Sequence, residues 1–335
     1  MNLFGTKLLQ FMARQRKNPA IATISILVGL MIVFSSLSDR FFTIENFQNV
    51  SRSVSAIVIV GCAVTLVMVA RGHDLSVGSV LAATAVAAAF LASNGINLWV
   101  AYLAAIGLGL ALGALNATFV VGLRVTPIIS TLGTMNIARG IAYLITPSAI
   151  LVGLPDEWSL LGTGSYFGMP SPTLFALAFI IIFSWILNRT VLGRHVYAIG
   201  GNEEAARLAG VNVNRTLFLL YTVTGVSVAV AAIVLSSRLG TGDPNIGIGF
   251  EFDVIVAVIL GGTSLAGGVG RISGTVIGAL IVGFLSNGLN LVGVEPFWQY
   301  IAKGAALVVA VVLDRLATRE SRPRKENPKS SEGER

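Results

Sequence analysis

An all-α integral membrane protein with about ten transmembrane helices, some short or broken, is the fold class that the sequence predicts, on three observations. Hydrophobic residues make up 54% of the 335-residue chain and charged residues 12%, about half the usual quarter, and the mean hydropathy is +0.81. Glycine contributes 37 residues, well above its usual share of about 7%. Charge-poor stretches of about 20 residues, the length that crosses a bilayer as a helix, recur along the whole chain. This composition excludes a soluble enzyme and a disordered protein. The net charge of +7 does not point to nucleic acid, because the basic residues sit at the ends and in short loops. A single cysteine, Cys62, lies in an apolar run, which excludes a disulfide framework and a thiolate zinc site. His73 and His195 lack metal-ligand spacing.

The spans begin near Ala20, Val54, Leu75, Leu98, Pro127, Thr173, Thr216, Phe252, Ile272 and Phe297. Helices suit lipid because each satisfies its own backbone hydrogen bonds. The apolar run from Ala20 to Leu37 reads as an uncleaved first span, being long for a signal peptide and followed by Asp39-Arg40, a poor cleavage context. The fifth span carries Arg139, and the eighth is short and ends in Gly261-Gly262. With the N-terminus inside, 18 of the 23 basic residues fall on the cytoplasmic side, and only Arg40 and Arg52 fall in outside loops. That asymmetry places both termini in the cytoplasm. The chain therefore divides into a cytoplasmic segment over 1–19, a transmembrane domain over 20–316 and a polar tail over 317–335, expected to be disordered.

A phosphate-binding P-loop needs glycine immediately before lysine. The five lysines follow Thr6, Arg16, Ala302, Arg324 and Pro328, so none can serve. H-E-x-x-H, G-x-S-x-G and C-x-x-C are also missing, and an enzymatic reading has no motif behind it.

The cytoplasmic loop over about 190–215 contains GRHVYAIGGNEEAARLAGVNVN. Its centre reads as a short, separately capped helix. Asn202, after Gly201, is the N-cap, Glu203 and Glu204 sit where the helix dipole favours anions, Arg207 lies near the far end, and Gly210 suits the left-handed position after it. Ala205, Ala206 and Ala209 give it a small apolar face. Such a helix is either an ordinary connector or a projection that docks into a partner's groove.

Three further segments carry information. In ARGHDLSVGS, residues 70–79, Asp74 or Ser76 can cap the incoming helix, Gly72 and Gly78 allow a turn or a close approach, and Arg71 and His73 stand ready to neutralise Asp74. From Gly249 to Gly293, Gly261, Gly262, Gly267, Gly268 and Gly270 flank Thr263 and Ser264 in an irregular turn, tolerated at membrane depth only in protein or facing water. Gly274 with Gly278, and Ala279 with Gly283, form small-xxx-small pairs for close helix packing. In TPIISTLGTMNIARG, residues 126–140, Arg139 must face protein, water or headgroups, and Glu251 and Asp253 are its plausible ion-pair partners.

These blocks, with Leu285-Ser286-Asn287-Gly288-Leu289-Asn290 and Pro296-Phe297-Trp298-Gln299, resemble the permease subunits of bacterial ATP-binding-cassette importers, specifically the ribose, xylose and arabinose family. The resemblance runs from about Phe34 to Arg315 in family order. It departs at Arg71 and His73, where the family has small and apolar residues. It implies a monosaccharide permease in the inner membrane, with no catalytic residue and no cofactor of its own. It further implies a separate ATPase that uses ATP and docks on the 190–215 loop, a second permease copy or paralogue, a periplasmic sugar-binding protein and surrounding lipid. Autoinducer-2, a polyol or branched-chain amino acids are alternative cargoes. Asp74, Ser76, Thr131, Asn136, Thr263, Ser264, Asn287 and Asn290 have the neutral or hydrogen-bonding chemistry that a sugar path needs, and helix–helix bonding is the competing role for each. An ion-coupled transporter would instead need a buried carboxylate relay, for which Asp74 and Asp253 are the candidates.

Overall fold

A computed structural model of the chain describes residues 19–147, 150–295, 297–305, 308 and 312. The segment over 1–18, the tail over 317–335 and Pro296 lie outside the described residues. The described chain is helical, apart from one two-residue hairpin. In order it forms α1 (Pro19–Leu37), α2 (Ile44–Val69), α3 (Val77–Ser93), α4 (Leu98–Ala117) with a π-helical extension (Thr118–Gly122), α5 (Pro127–Ile145), a 3₁₀ turn (Asp156–Ser159) and α6 (Leu160–Thr163). Strands β1 (Ser165–Tyr166) and β2 (Met169–Pro170) pair antiparallel. Then follow α7 (Ser171–Arg189), α8 (Val191–Gly201), α9 (Glu203–Leu208), α10 (Val213–Leu239), α11 (Phe250–Leu260), α12 (Ile272–Leu291) and α13 (297–305).

Polar residues mark where the helices begin. Thr43, Asn97, Thr190 and Asn212 each accept a first-turn backbone N–H, opening α2, α4, α8 and α10, which satisfies donors that no helix can satisfy internally. Pro127 opens α5, where its missing N–H costs nothing. The second span begins at Ile44, ten residues before the expected Val54. Its polar first turns hid it: Thr43 caps it, and Asn46 donates to the Phe41 carbonyl at 2.9 Å. The 190–215 loop holds two helices where one was expected.

From Val54 through Val69 every residue of α2 is buried. An apolar helix without a polar face belongs inside a bundle. Accordingly α2 packs against α7, α10, α11 and α12, while α10 also covers α3 and α4. Among the described residues, six helices are long and apolar enough to cross a membrane, namely Ile44–Val69, Leu98–Gly122, Pro127–Ile145, Ser171–Arg189, Val213–Leu239 and Ile272–Leu291, with Thr23–Leu37 and Val77–Ser93 shorter. The outward faces of α4, α5 and α7 carry exposed Leu103, Ile129, Leu144, Ile181 and Trp185, a surface suited to lipid rather than water.

Close approach at glycines sets the helix spacing. A Cβ on Gly278 would meet the Ala257 carbonyl, and one on Gly274 the Gly261 carbonyl, so α12 lies directly on α11. Gly225 meets the Gly109 backbone in the same way between α10 and α4. Association through small residues replaces the hydrophobic drive that lipid removes. Gly278→Ala should therefore lower the thermal unfolding midpoint of the purified protein, at a cost of about 1–3 kcal/mol for overpacking. Gly140→Ala, which meets nothing within 4 Å, should leave the midpoint unchanged or raise it in the same fluorescence-detected melt.

Candidate functional site

Two apolar helices of the bundle fall short of the about 20 residues of an ordinary span. α11 has 11 residues, about 16 Å at 1.5 Å per residue, and α3 has 17. Each follows an irregular segment that re-enters the bundle: 70–76 before α3, and 240–249 before α11. The N-terminal turns of the two helices meet, because a Cβ on Gly78 would strike both the Glu251 carboxylate and the Gly247 carbonyl.

Helix α5 holds both segments. Thr131 Oγ1 accepts from the Leu75 N–H at 3.2 Å on one side. On the other, Arg139 donates to the carbonyls of Pro244 and Ile246, and Tyr143 Oη meets Asn245 Oδ1 at 2.8 Å. Arg139 thus takes carbonyls, where Glu251 or Asp253 was expected. Asp253 pairs instead with Lys303 at 2.8 Å.

Asp74 is buried. Its Oδ1 accepts from the Ser76 N–H at 2.9 Å and the Ser76 hydroxyl at 2.6 Å. Asn116 Nδ2 donates to Ser76 Oγ at 2.8 Å and lies 3.5 Å from both Asp74 oxygens. Neither Asp74 nor Ser76 makes the expected side-chain cap: Ser76 is the N-cap of α3 without a cap bond, because the carboxylate is spent on the turn just before it. Arg71 does not neutralise Asp74 either. Asp74, Ser76 and Thr131 thus form one cluster with Asn116, a polar residue in an apolar span that the sequence reading passed over.

The other proposed path residues lie elsewhere. Asn136 is exposed on α5 and bonds the Leu132 carbonyl of its own helix. Asn287 Nδ2 donates to Asn46 Oδ1 at 2.8 Å, tying α12 to α2. Asn290 Oδ1 accepts from Gln299 at 2.6 Å, tying α12 to α13. Thr263 and Ser264 are buried in the 261–271 turn.

That turn meets the 70–76 segment and α8 at Arg71. Its Nε donates to the Gly200 carbonyl and its Nη2 to the Gly201 carbonyl, both at 2.9 Å, a cation on the last carbonyls of a helix. The Gly268 N–H donates to the Val69 carbonyl at 2.8 Å, and Tyr197 Oη to the Gly270 carbonyl at 2.7 Å. Burial pushes the Tyr197 phenol above its ordinary value, with Arg271 opposing, so it stays a neutral donor. Arg71 has φ of 65°, a left-handed geometry that costs a non-glycine residue about 1–3 kcal/mol. Its two side-chain bonds offset that cost.

Beyond this junction α9 projects. Asn202 Oδ1 accepts from the Ala205 N–H at 3.0 Å, and Glu203 pairs with Arg207 at 3.0 Å. Gly210 has φ of 86°, and the Val211 and Gly210 N–H groups close onto the carbonyls of Ala206 and Arg207, a Schellman ending. The N-cap and left-handed exit read from the sequence are both present. Ala206 alone is buried; Ala205 and Ala209 face outward with Leu208. Among the described residues, no three His, Cys, Asp or Glu side chains are placed to hold a metal ion.

Residues 46–311 match the family model described as branched-chain amino acid transport system / permease component. The ribose import permease protein of Escherichia coli K12 is 43% identical over 293 residues, covering 86% of this chain and 91% of that one. The L-arabinose transport system permease protein of the same strain is 39% identical over 302 residues, covering 88% and 92%. Its D-allose transport system permease protein is 35% identical over 299 residues, covering 89% and 92%. No solved structure matches the chain.

The Arg71 junction makes a structural prediction. Arg71→Ala removes two bonds from a charged donor, each worth toward the low end of about 1.5–3 kcal/mol because the guanidinium reaches solvent. Amide hydrogen exchange should quicken together in 198–211 and in 264–270, and Arg71→Lys should restore part of the protection. Unchanged exchange in both segments would contradict the junction.

Proposed function

The chain belongs to the branched-chain amino acid transport system / permease component family, and on that premise we propose that it is the membrane-spanning subunit of an ATP-driven importer for a monosaccharide. The observation that carries this reading is an identity of 35% to 43%, over most of both chains, to permeases named for ribose, arabinose and allose. The ion-coupled alternative loses ground at Asp253, which is held by Lys303.

In this reading the chain crosses the bacterial inner membrane ten times with both termini in the cytoplasm. The eight apolar helices already counted are joined by short α11 with its re-entrant approach and by α13. Two permease copies, or this chain and a paralogue, would enclose the path. A separate ATPase binds and hydrolyses ATP beneath them, and a periplasmic binding protein delivers the sugar. The chain itself is not an enzyme and binds no cofactor. The exposed, doubly capped α9 supports the docking role: Asn202, Glu203, Glu204, Ala205 and Arg207 form its presented surface, while Gly201 and Gly210 fix where it begins and ends. The cluster of Asp74, Ser76 and Thr131 sits where α3 and α11 meet, a place suited to the sugar path. Thr263 and Ser264 lie beside the docking junction and suit transmission of movement better than contact with cargo.

Glu204→Lys tests the reading. It reverses a charge on the presented helix, at a cost of about 1–2 kcal/mol for a docking contact, or about tenfold in affinity. Uptake of radiolabelled D-ribose, L-arabinose or D-allose by cells with the whole system should fall by about that factor. Permease levels in the membrane and the basal ATP hydrolysis of the partner should stay unchanged. Full uptake at equal expression would remove α9 from the docking role.

A further inference from the structure

A cavity of about 360 Å³ lies between the first turns of α11 and helix α13, lined by Ile248, Phe252, Asp253, Gln299, Tyr300 and Lys303 with two glycines. Its volume falls in the range of small-molecule sites, about 300–1,000 Å³. It is separate from the Asp74 cluster and shares none of its residues. Its chemistry narrows what it can hold. Asp253 and Lys303 face each other at 2.8 Å, so the lining carries strong donors and acceptors without net charge. An isolated ion would find its counter-charge already taken. A neutral solute with several hydroxyls would find a carboxylate acceptor, an ammonium with three N–H donors, an amide and a phenol converging on one space. Gln299 is oriented by its bond to Asn290 at 2.6 Å. Phe252 and Tyr300 are both exposed and offer ring faces for the C–H face of a sugar ring.

We propose that this cavity is a binding site for a neutral polyhydroxylated solute, a monosaccharide or polyol, at the outer end of α11. The proposal rests on the import reading above, which puts the α11 N-terminus on the side where cargo arrives. It adds a route for occupancy to be sensed. Only 11 residues of helix separate Gly249 from Gly261, and the turn that follows touches Val69 and lies against Arg71. A shift of this rigid segment on binding moves the turn against which the docking helix is anchored.

Because Cys62 is the chain's lone cysteine and is buried, single reporter cysteines can test the site without reference to transport. Gln299→Cys and, separately, Tyr300→Cys are placed in a Cys62→Ala background and expressed with the whole importer. Reaction with a membrane-impermeant methanethiosulfonate is timed with and without D-ribose, L-arabinose or D-allose, with sucrose as the osmotic control. The proposal predicts reaction from outside and protection by a transported sugar. The rate should halve at the dissociation constant and fall about tenfold at about ten times that concentration, since only the empty fraction reacts. Uptake of each sugar by the parent cells is measured in parallel. If a sugar is taken up but neither cysteine reacts, or neither is protected, the site is overturned while the import reading stands. If neither these sugars nor a panel of pentitols and hexitols is taken up, the import reading fails and the proposal falls with it.

Discussion

Backbone N–H and C=O groups that leave a helical ladder inside an apolar bundle must find partners in protein, since lipid offers none. Both interrupted segments of this chain meet that demand through α5. Thr131 receives the Leu75 N–H, and eight residues further on Arg139 supplies donors to the Pro244 and Ile246 carbonyls. One helix therefore holds the two segments that carry α3 and α11 to their meeting point. An intramembrane arginine is costly to bury. Here its charge is used on carbonyls that would otherwise be orphaned.

The same demand gives Arg71 its place. The end of α8 would expose carbonyls where three segments crowd together, and the crowding is tight: a Cβ on Gly200 would meet the Val69 carbonyl and the Gly268 backbone. Packed elements of this kind shift as units rather than deform. With α9 following α8 directly, a force on α9 reaches both the 70–76 and 261–271 segments without crossing a flexible linker. Contiguous packing of this sort is one way in which distant segments become coupled.

Much of this was readable from the residues, and the failures have physical causes. The start of α9 at Asn202, its exit at Gly210 and the close contacts of Gly274 and Gly278 depend on local chemistry within one or two turns, and sequence reports local chemistry well. The bond between Asp253 and Lys303 joins residues 50 positions apart, and Arg71 reaches across 129 and 130 positions to Gly200 and Gly201. Nothing local signals such partners, so Arg71 was assigned to the nearest anion, Asp74. The first turns of α2 were missed because their polar residues resemble a loop. Their burial at Asn46 and their cap at Thr43 appear only once Phe41 folds back beside them. Among the proposed path residues, Asp74, Ser76 and Thr131 gather while Asn136, Asn287 and Asn290 do not, because residue type alone does not tell a path-lining amide from one that ties two helices together.

Energy supply is the central claim, and reconstitution tests it most directly. The purified chain is placed in sealed liposomes, first alone and then with any P-loop ATPase and binding protein that co-purify with it from its native membrane. Radiolabelled sugar uptake is measured with ATP and with imposed proton and sodium gradients. The account predicts no accumulation by the chain alone under any gradient, and accumulation with the partners only when ATP is supplied to the ATPase side. Accumulation by the chain alone, driven by an ion gradient, would contradict it.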